Sequence, residues 1–155
     1  MQIELTDPIH HLYLRVLYAD TDAGGVVYNA SYLRFFEAGR TEMVRALGVP
    51  YSTLEQRGII LPLTECGVRY KAPARYDDLL TVSTSLVALS RASCRFNYRI
   101  TREQEHQPEQ LLTLGYTIHA CINKEGRPCR FPSDVIQFLK LLRPDSSVDI
   151  PTEGV

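Results

Sequence analysis

The chain has 155 residues, a length typical of one domain, and 45% of them are apolar while 23% are charged. This is the balance of a globular protein, not of a disordered chain. Seventeen Lys and Arg against eighteen Asp and Glu give a net charge of -1, which provides no basic excess for nucleic-acid binding. No apolar stretch of about 18 residues occurs, and the polar residues 1–11 do not form a secretory signal. We therefore expect a cytoplasmic protein without a membrane span.

Alternation of apolar and polar residues predicts five β-strands. Each predicted strand has one apolar face, and the residues of these faces are Leu12, Leu14, Val16 and Tyr18; Cys66, Val68 and Tyr70; Leu80, Val82, Thr84, Leu86 and Ala88; Cys94, Phe96, Tyr98 and Ile100; and Leu112, Leu114, Tyr116, Ile118, Ala120 and Ile122. The strands span about ten residues, longer than the usual five or six. Because antiparallel sheets often bury one face only, we expect an antiparallel sheet of about five long strands that curls around another element.

The segment from Asn29 to Leu47 predicts a long helix inside that sheet. Its apolar residues recur at intervals of three and four, the spacing of one helical face: Tyr32, Phe36, Gly39, Met43 and Leu47. Asn29 is a good N-cap residue, and Gly48 suits the C-terminal end. Gly39 has low helix propensity, so we expect it to allow a close approach of the sheet at mid-helix.

Two shorter helices complete a predicted α+β fold. One is indicated by the capping-box sequence Ser-Thr-Leu-Glu at residues 52–55, and the other spans Ser133 to Leu142. The order strand, long helix, short helix, four strands and short helix favours helices on one face of an antiparallel sheet. We expect a single domain over residues 1–143, followed by a flexible tail at residues 144–155.

The cysteines and histidines form no familiar metal-binding pattern, so we do not expect a metal site. The four cysteines contain no Cys-x-x-Cys pair, and we interpret them as small buried residues in a reducing compartment: Cys66, Cys94, Cys121 and Cys129. His119 lies on the fifth predicted strand, on the face opposite the apolar residues. We interpret it as a hydrogen-bonded structural or interface histidine.

The residues between the first strand and the long helix carry groups that can act on an acyl compound. Asp20 and Asp22 flank a threonine, and Gly24 and Gly25 follow before the helix. Glycines let a ligand approach the backbone, and the first N–H groups of a helix attract negative charge. A carboxylate beside such donors is the minimal apparatus for hydrolysing an activated acyl group. A polar turn explains the same pattern, and a divalent metal site is a third interpretation, although no third carboxylate follows at a useful spacing.

Residues 18–43 (YADTDAGGVVYNASYLRFFEAGRTEM) and 70–78 (YKAPARYDD) form two longer motifs. Both resemble the YbgC / 4-hydroxybenzoyl-CoA thioesterase family, and the resemblance extends over about residues 10–142. It implies a hotdog fold, in which the sheet wraps the long helix, and homo-oligomers in which dimers often pair into tetramers. It also implies hydrolysis of acyl-CoA thioesters without a metal or cofactor.

The resemblance assigns expected roles to residues of the first motif. Asp22 falls on the catalytic carboxylate, which acts as a nucleophile or as a base toward water. The backbone N–H of Asn29 falls on the donor that polarises the thioester carbonyl, and Tyr28 lies beside the site. Many relatives have histidine at position 29, so the resemblance supports a backbone role there and not a side-chain role.

Further residues are expected to contact the substrate. Gly25, Val27 and Tyr32 are expected to line the site, with Tyr32 bordering the acyl group. Arg91, in a predicted turn, is a candidate for binding a CoA phosphate, as are Lys71 and Arg75, although a solvated surface position explains all three. Two other functions stay open: a thioesterase for an aromatic ester such as hydroxybenzoyl- or dihydroxynaphthoyl-CoA, and a catalytically weak module that binds acyl-CoA or a partner.

Overall fold

The computed structural model describes residues 2–143. The helices and strands in chain order are β1 (His10–Arg15), α1 (Ser31–Ala46), α2 (Tyr51–Gln56), β2 (Leu63–Tyr70), β3 (Leu79–Leu89), β4 (Ser93–Gln104), β5 (Gln107–Ala120) and α3 (Ser133–Lys140). The predicted tail at residues 144–155 lies outside the described residues. Within residues 2–143, none of the helices has the length and apolar character needed to cross a lipid bilayer.

The five strands form one antiparallel sheet in the order β1-β3-β4-β5-β2. The long helix α1 packs against β1, β3 and β4, so the sheet curves around it. Gly39 permits this contact, since a Cβ atom there would lie 2.5 Å from the Thr84 hydroxyl and 2.9 Å from Val82. The predicted α+β hotdog arrangement and the role expected for Gly39 are therefore confirmed.

Aromatic residues fill the space between α1 and the sheet. Phe35 and Phe36 of α1 are fully buried, and Phe36 stacks on Tyr98 of β4 with ring centroids 4.3 Å apart. Gly115 of β5 lies under the Phe36 ring, and a side chain at that position would overlap it. Small residues in the sheet thus make room for large ones on the helix.

The apolar face predicted for the fifth strand is correct at Leu112, which is fully buried in the core, but wrong for the part of β5 that follows. Gly115 contacts Phe36, and the Thr117 hydroxyl bonds to Tyr98, so these two residues of β5 lie toward α1. Tyr116 lies on the outer face, where its ring packs under Arg95 and its hydroxyl donates to Glu65. The apolar pattern assigned the faces wrongly for two reasons. Only small side chains fit between β5 and Phe36 of α1, and a large apolar residue on the outer face is also buried, since Arg95 covers the ring of Tyr116.

Other local predictions need smaller corrections. Tyr18 is not part of β1; it begins a short 3₁₀ turn and is 73% exposed. Cys66 is exposed on β2, which forms one edge of the sheet, whereas Cys94 and Cys121 are buried as expected. His119 is buried and hydrogen-bonded to Thr117 and the Leu61 carbonyl, which confirms its structural role; burial lowers its pKa to about 4.

Candidate active site

A tight loop holds Asp22 at the surface. Asp22 and Val26 are joined by a backbone hydrogen bond of 2.9 Å, and Gly25 donates to the Asp22 carbonyl at 3.0 Å. Gly25 has a φ of +77°, a left-handed conformation that glycine adopts without strain. The Asp22 carboxylate accepts one hydrogen bond, from the Gly24 N–H at 2.8 Å, and is otherwise exposed. The loop therefore presents a carboxylate with free acceptor capacity.

Asp20 occupies a different environment, although it lies only two residues away. Asp20 is buried, and its side chain accepts a hydrogen bond from the Leu17 N–H at 2.8 Å and pairs with Arg34. Its carbonyl accepts from the Tyr28 N–H at 2.8 Å and from the Ser31 hydroxyl at 3.1 Å. Asp20 thus ties the loop to the start of α1 and contributes no free carboxylate.

The predicted N-cap at Asn29 is wrong. Helix α1 begins at Ser31, Ala30 occupies the cap position, and no side chain caps the helix. The Asn29 side chain is exposed, because residue 29 belongs to the turn before the helix. The carbonyl of Asn29 accepts a hydrogen bond from the Tyr70 hydroxyl at 2.8 Å, whereas its N–H has no partner within residues 2–143.

The segment that follows β2 lies against this turn. The Val27 N–H donates to the Ala74 carbonyl at 2.8 Å, and the Ala74 N–H donates to the Tyr32 hydroxyl at 3.3 Å. The rings of Tyr32 and Tyr70 meet edge to face, with centroids 5.3 Å apart. Two segments about 40 residues apart in sequence are therefore fixed side by side.

A cleft of about 400 Å³ lies between the two segments. Its lining residues are Asp22, Val26, Val27, Tyr28, Asn29, Tyr32, Tyr70, Lys71, Ala72 and Pro73. The structure thus brings together five residues that sequence analysis selected for the site: Asp22, Val27, Tyr28, Asn29 and Tyr32. Gly25 does not line the cleft and acts through the conformation of the loop.

Arg91 is separated from this cleft. It lies in the turn between β3 and β4, next to the end of β5 at which Ser93 pairs with Ala120. Tyr70, in the cleft wall, pairs with Thr113 seven residues earlier on β5, a separation of roughly 20 Å along the strand. The predicted contact of Arg91 with substrate is therefore not supported for the cleft of the same chain.

Residues 70–73 are the part of the cleft that the site prediction omitted. The second motif, YKAPARYDD, contains all four of them and was the available signal. Lys71 was considered only as a possible phosphate contact, and Tyr70 only as an apolar strand residue. Tyr70 is half exposed, and burial, with Tyr32 and Cys66 nearby, raises its pKa, so its hydroxyl stays protonated at neutral pH.

The cleft combines groups of complementary chemistry. Asp22 supplies an exposed carboxylate, Asn29 an unpaired N–H before a helix, and Lys71 a cation. A carboxylate can attack an acyl carbon or orient water, and an N–H can stabilise a developing oxyanion. Within residues 2–143, no three His, Cys, Asp or Glu side chains come together as a metal-binding group.

Comparison with known proteins identifies the family. A model of the thioesterase-like superfamily matches residues 16–139. The chain belongs to this superfamily. The acyl-CoA thioester hydrolase YbgC of Escherichia coli is 34% identical over 82% of this chain and 92% of its own length. The acyl-CoA thioesterase YbgC of Haemophilus influenzae is 36% identical over 79% of this chain and 88% of its own length.

Solved structures of thioesterases share the fold. The crystal structure of a DHNA-CoA thioesterase from Staphylococcus aureus superposes with a TM-score of 0.79 and is 29% identical, covering 86% of this chain and 89% of that one. The protein is accordingly a thioesterase, and its matched region contains both segments of the cleft. This supports an enzyme and not a module that only binds.

Proposed function

We propose that this thioesterase hydrolyses acyl-CoA thioesters to a free acid and CoA in the cleft between residues 22–32 and 70–73. The observation that carries the proposal is that Asp22 and Asn29 line one cleft. The YbgC relatives, whose names specify acyl-CoA thioesters, support the substrate class.

Asp22 is the group proposed to start the reaction. Its carboxylate is exposed and accepts only the hydrogen bond from the Gly24 N–H, so it is free to contact a substrate or a water molecule. The carboxylate either attacks the thioester carbon, giving an anhydride that water then hydrolyses, or removes a proton from an attacking water. In both routes the C–S bond breaks and CoA leaves as a thiolate, so one thiol appears for each carboxylic acid.

Asn29 is proposed to stabilise the oxygen of the thioester carbonyl. As the carbon becomes tetrahedral, this oxygen acquires negative charge, and the unpaired N–H of Asn29 donates to it. The N–H lies just before α1, where the helix dipole also favours negative charge. Such a donor acts mainly in the transition state, which is the condition for raising kcat.

The lining of the cleft favours an aromatic acyl group as a second candidate for the substrate. Three tyrosines border it, Tyr28, Tyr32 and Tyr70, and aromatic rings pack well against one another. The Staphylococcus aureus structure is of a DHNA-CoA thioesterase, and it is 29% identical to this chain. Aryl-CoA esters therefore belong in any substrate panel beside straight-chain acyl-CoA.

We expect the purified protein to release CoA thiol from at least one member of such a panel in the presence of EDTA. The reason is that the proposed carboxylate and N–H need no metal. A thiol-trapping dye measures the rate, and chromatography of the acid gives the stoichiometry. Loss of activity with EDTA that a divalent ion restores would contradict the metal-free mechanism, and no release from any thioester would contradict the proposed function.

We expect the protein to be at least a dimer. Among the described residues, β2 pairs only with β5, so its other edge is available to a second copy. Leu63, Cys66 and Tyr70 are exposed on this strand, and unprotected edges tend to pair. Sedimentation at micromolar concentration should give a species of at least twice 17.6 kDa. A single 17.6 kDa species would show that the chain is monomeric.

A further inference from the structure

Two peptide groups meet at Asn29, and each is held by its carbonyl oxygen. The Tyr28 carbonyl accepts a hydrogen bond from the Ser31 N–H at 2.9 Å. The Asn29 carbonyl accepts one from the Tyr70 hydroxyl at 2.8 Å. A trans peptide group is planar, so its N–H points opposite to its carbonyl. The Asn29 N–H shares a peptide group with the Tyr28 carbonyl, and the hydrogen bond from Tyr70 holds the next peptide group. With both groups anchored, the φ and ψ angles of Asn29 between them are restrained, so the group that carries the N–H cannot rotate relative to its neighbour.

The second of these anchors comes from a distant and rigid part of the chain. Asn29 lies in a turn outside α1, where the regular hydrogen bonds of a helix do not restrain it. Tyr70 is the last residue of β2 and pairs with Thr113 of β5. Its ring also packs against Tyr32, which limits the positions open to its hydroxyl. A side chain placed on a strand is a more precise support than a loop residue.

The other two tyrosines of the cleft do not have this contact. The Tyr32 hydroxyl accepts from the Ala74 N–H, which joins the two segments away from residue 29. Tyr28 is half exposed, and its hydroxyl has no hydrogen-bond partner in the described part of the chain. Tyr70 is thus the cleft tyrosine whose hydroxyl contacts the backbone of Asn29.

We propose that Tyr70 is a positioning residue for thioester hydrolysis: its hydroxyl holds the backbone of Asn29 in the conformation in which the N–H meets the developing oxyanion. This inference rests on the proposed function of the cleft. The hydroxyl does not touch the reacting atoms, and it acts by keeping a donor of the transition state in place. Because a small misplacement of a catalytic group lowers the rate strongly, loss of this hydrogen bond should lower kcat more than it weakens substrate binding.

Tyr70→Phe tests the inference, since it removes the hydroxyl and keeps the ring that packs on Tyr32. We expect kcat to fall roughly 10-fold with KM within about twofold of its original value. A non-reactive thioether analogue of acyl-CoA should bind with unchanged Kd, because it develops no oxyanion. The matched control is Tyr13→Phe on β1, which removes another exposed hydroxyl without a hydrogen bond in residues 2–143. The kcat of the Tyr13→Phe variant should equal that of the parent protein.

The same substitution in the Asn29→Pro background separates positioning from a general structural role. Without the N–H there is nothing left to position, so Tyr70→Phe should cause no further loss beyond about twofold. Circular dichroism and sedimentation should show that each variant is folded and assembled as the parent protein is. If Asn29→Pro does not fold, the test is the single Tyr70→Phe variant. A lower kcat with an unchanged Kd for the thioether analogue then supports a positioning role.

Three results would overturn the inference. The first is a folded Tyr70→Phe variant with kcat within twofold of the parent. The second is the same fractional loss with and without the Asn29 N–H, or an equal loss in thioether binding, because either shows that Tyr70 acts elsewhere. The third is near-normal turnover in folded Asn29→Pro, which removes the oxyanion role of Asn29 itself. In the first two cases the proposed hydrolysis in this cleft still stands.

Discussion

Asn29→Pro should lower kcat by roughly 10²–10³, the usual effect of removing one oxyanion donor. Proline lacks the backbone N–H, and residue 29 lies in the turn just before α1, where a fixed φ near -65° is tolerable. The carbonyl of residue 29 remains, so the hydrogen bond from Tyr70 can still form. The substitution therefore removes the proposed donor and keeps the carbonyl that Tyr70 holds. Steady-state thiol release from acyl-CoA measures the effect.

Asn29→Ala is the control for this experiment, because it keeps the N–H and removes the side chain. The Asn29 side chain does not cap α1, contrary to its assignment as the N-cap from the sequence, so the substitution should cost little stability. Its kcat should stay close to that of the parent protein. Proline also restricts Tyr28, so circular dichroism and oligomeric state need to be checked. A folded, active Pro variant would contradict the backbone role, and a folded, inactive Ala variant would assign the role to the side chain.

Hydrophobic periodicity predicted the strands and the helix whose core-facing residues are mostly large and apolar. On β3 and β4 the alternating residues are almost fully buried against α1, as predicted. The stripe of α1 is correct for Tyr32, Phe36, Gly39 and Met43, which are all buried. Its last predicted residue, Leu47, lies just beyond the end of the helix and is partly exposed. In these elements the apolar residues are the ones that face the core.

The prediction failed where the residues that face the core are small or polar, or where a contact is distant in sequence. On β5, Thr113, Gly115 and Thr117 lie toward α1 because bulkier side chains do not fit there. Sequence alone does not record the space that Phe36 occupies. Asn29 was assigned as a cap by residue type, but helix ends are set by backbone geometry, and α1 begins two residues later.

Sequence analysis predicted one of the two walls of the candidate site. Asp22 and Asn29 were selected from one short segment, and a local loop brings them to the same cleft. Tyr70 and Lys71 come from the opposite wall, and their approach depends on the pairing of β2 with β5. No local pattern contains that information. The role of Arg91 was based on charge alone, and its position at the other end of β4 and β5 was not available from the sequence.

The two aspartates of the first motif should respond very differently to the same substitution. Asp22→Asn keeps an oxygen that can accept from the Gly24 N–H, so the loop should retain its shape while losing the carboxylate charge. We expect kcat to fall by at least about 10², the lower end of what a catalytic carboxylate contributes. Asp20 is buried, bonded to the Leu17 N–H and paired with Arg34, so Asp20→Asn should lower the melting temperature and leave kcat largely unchanged.

The ratio of kcat in these two variants is the most direct test of hydrolysis by the Asp22 carboxylate in this cleft. It should be measured by thiol release at saturating acyl-CoA, at a temperature where circular dichroism shows both variants folded. We predict that the Asp22→Asn variant is slower than the Asp20→Asn variant by about two orders of magnitude. Equal and small losses in both variants would contradict the account, because the motif would then be a polar turn and the reaction would take place without Asp22.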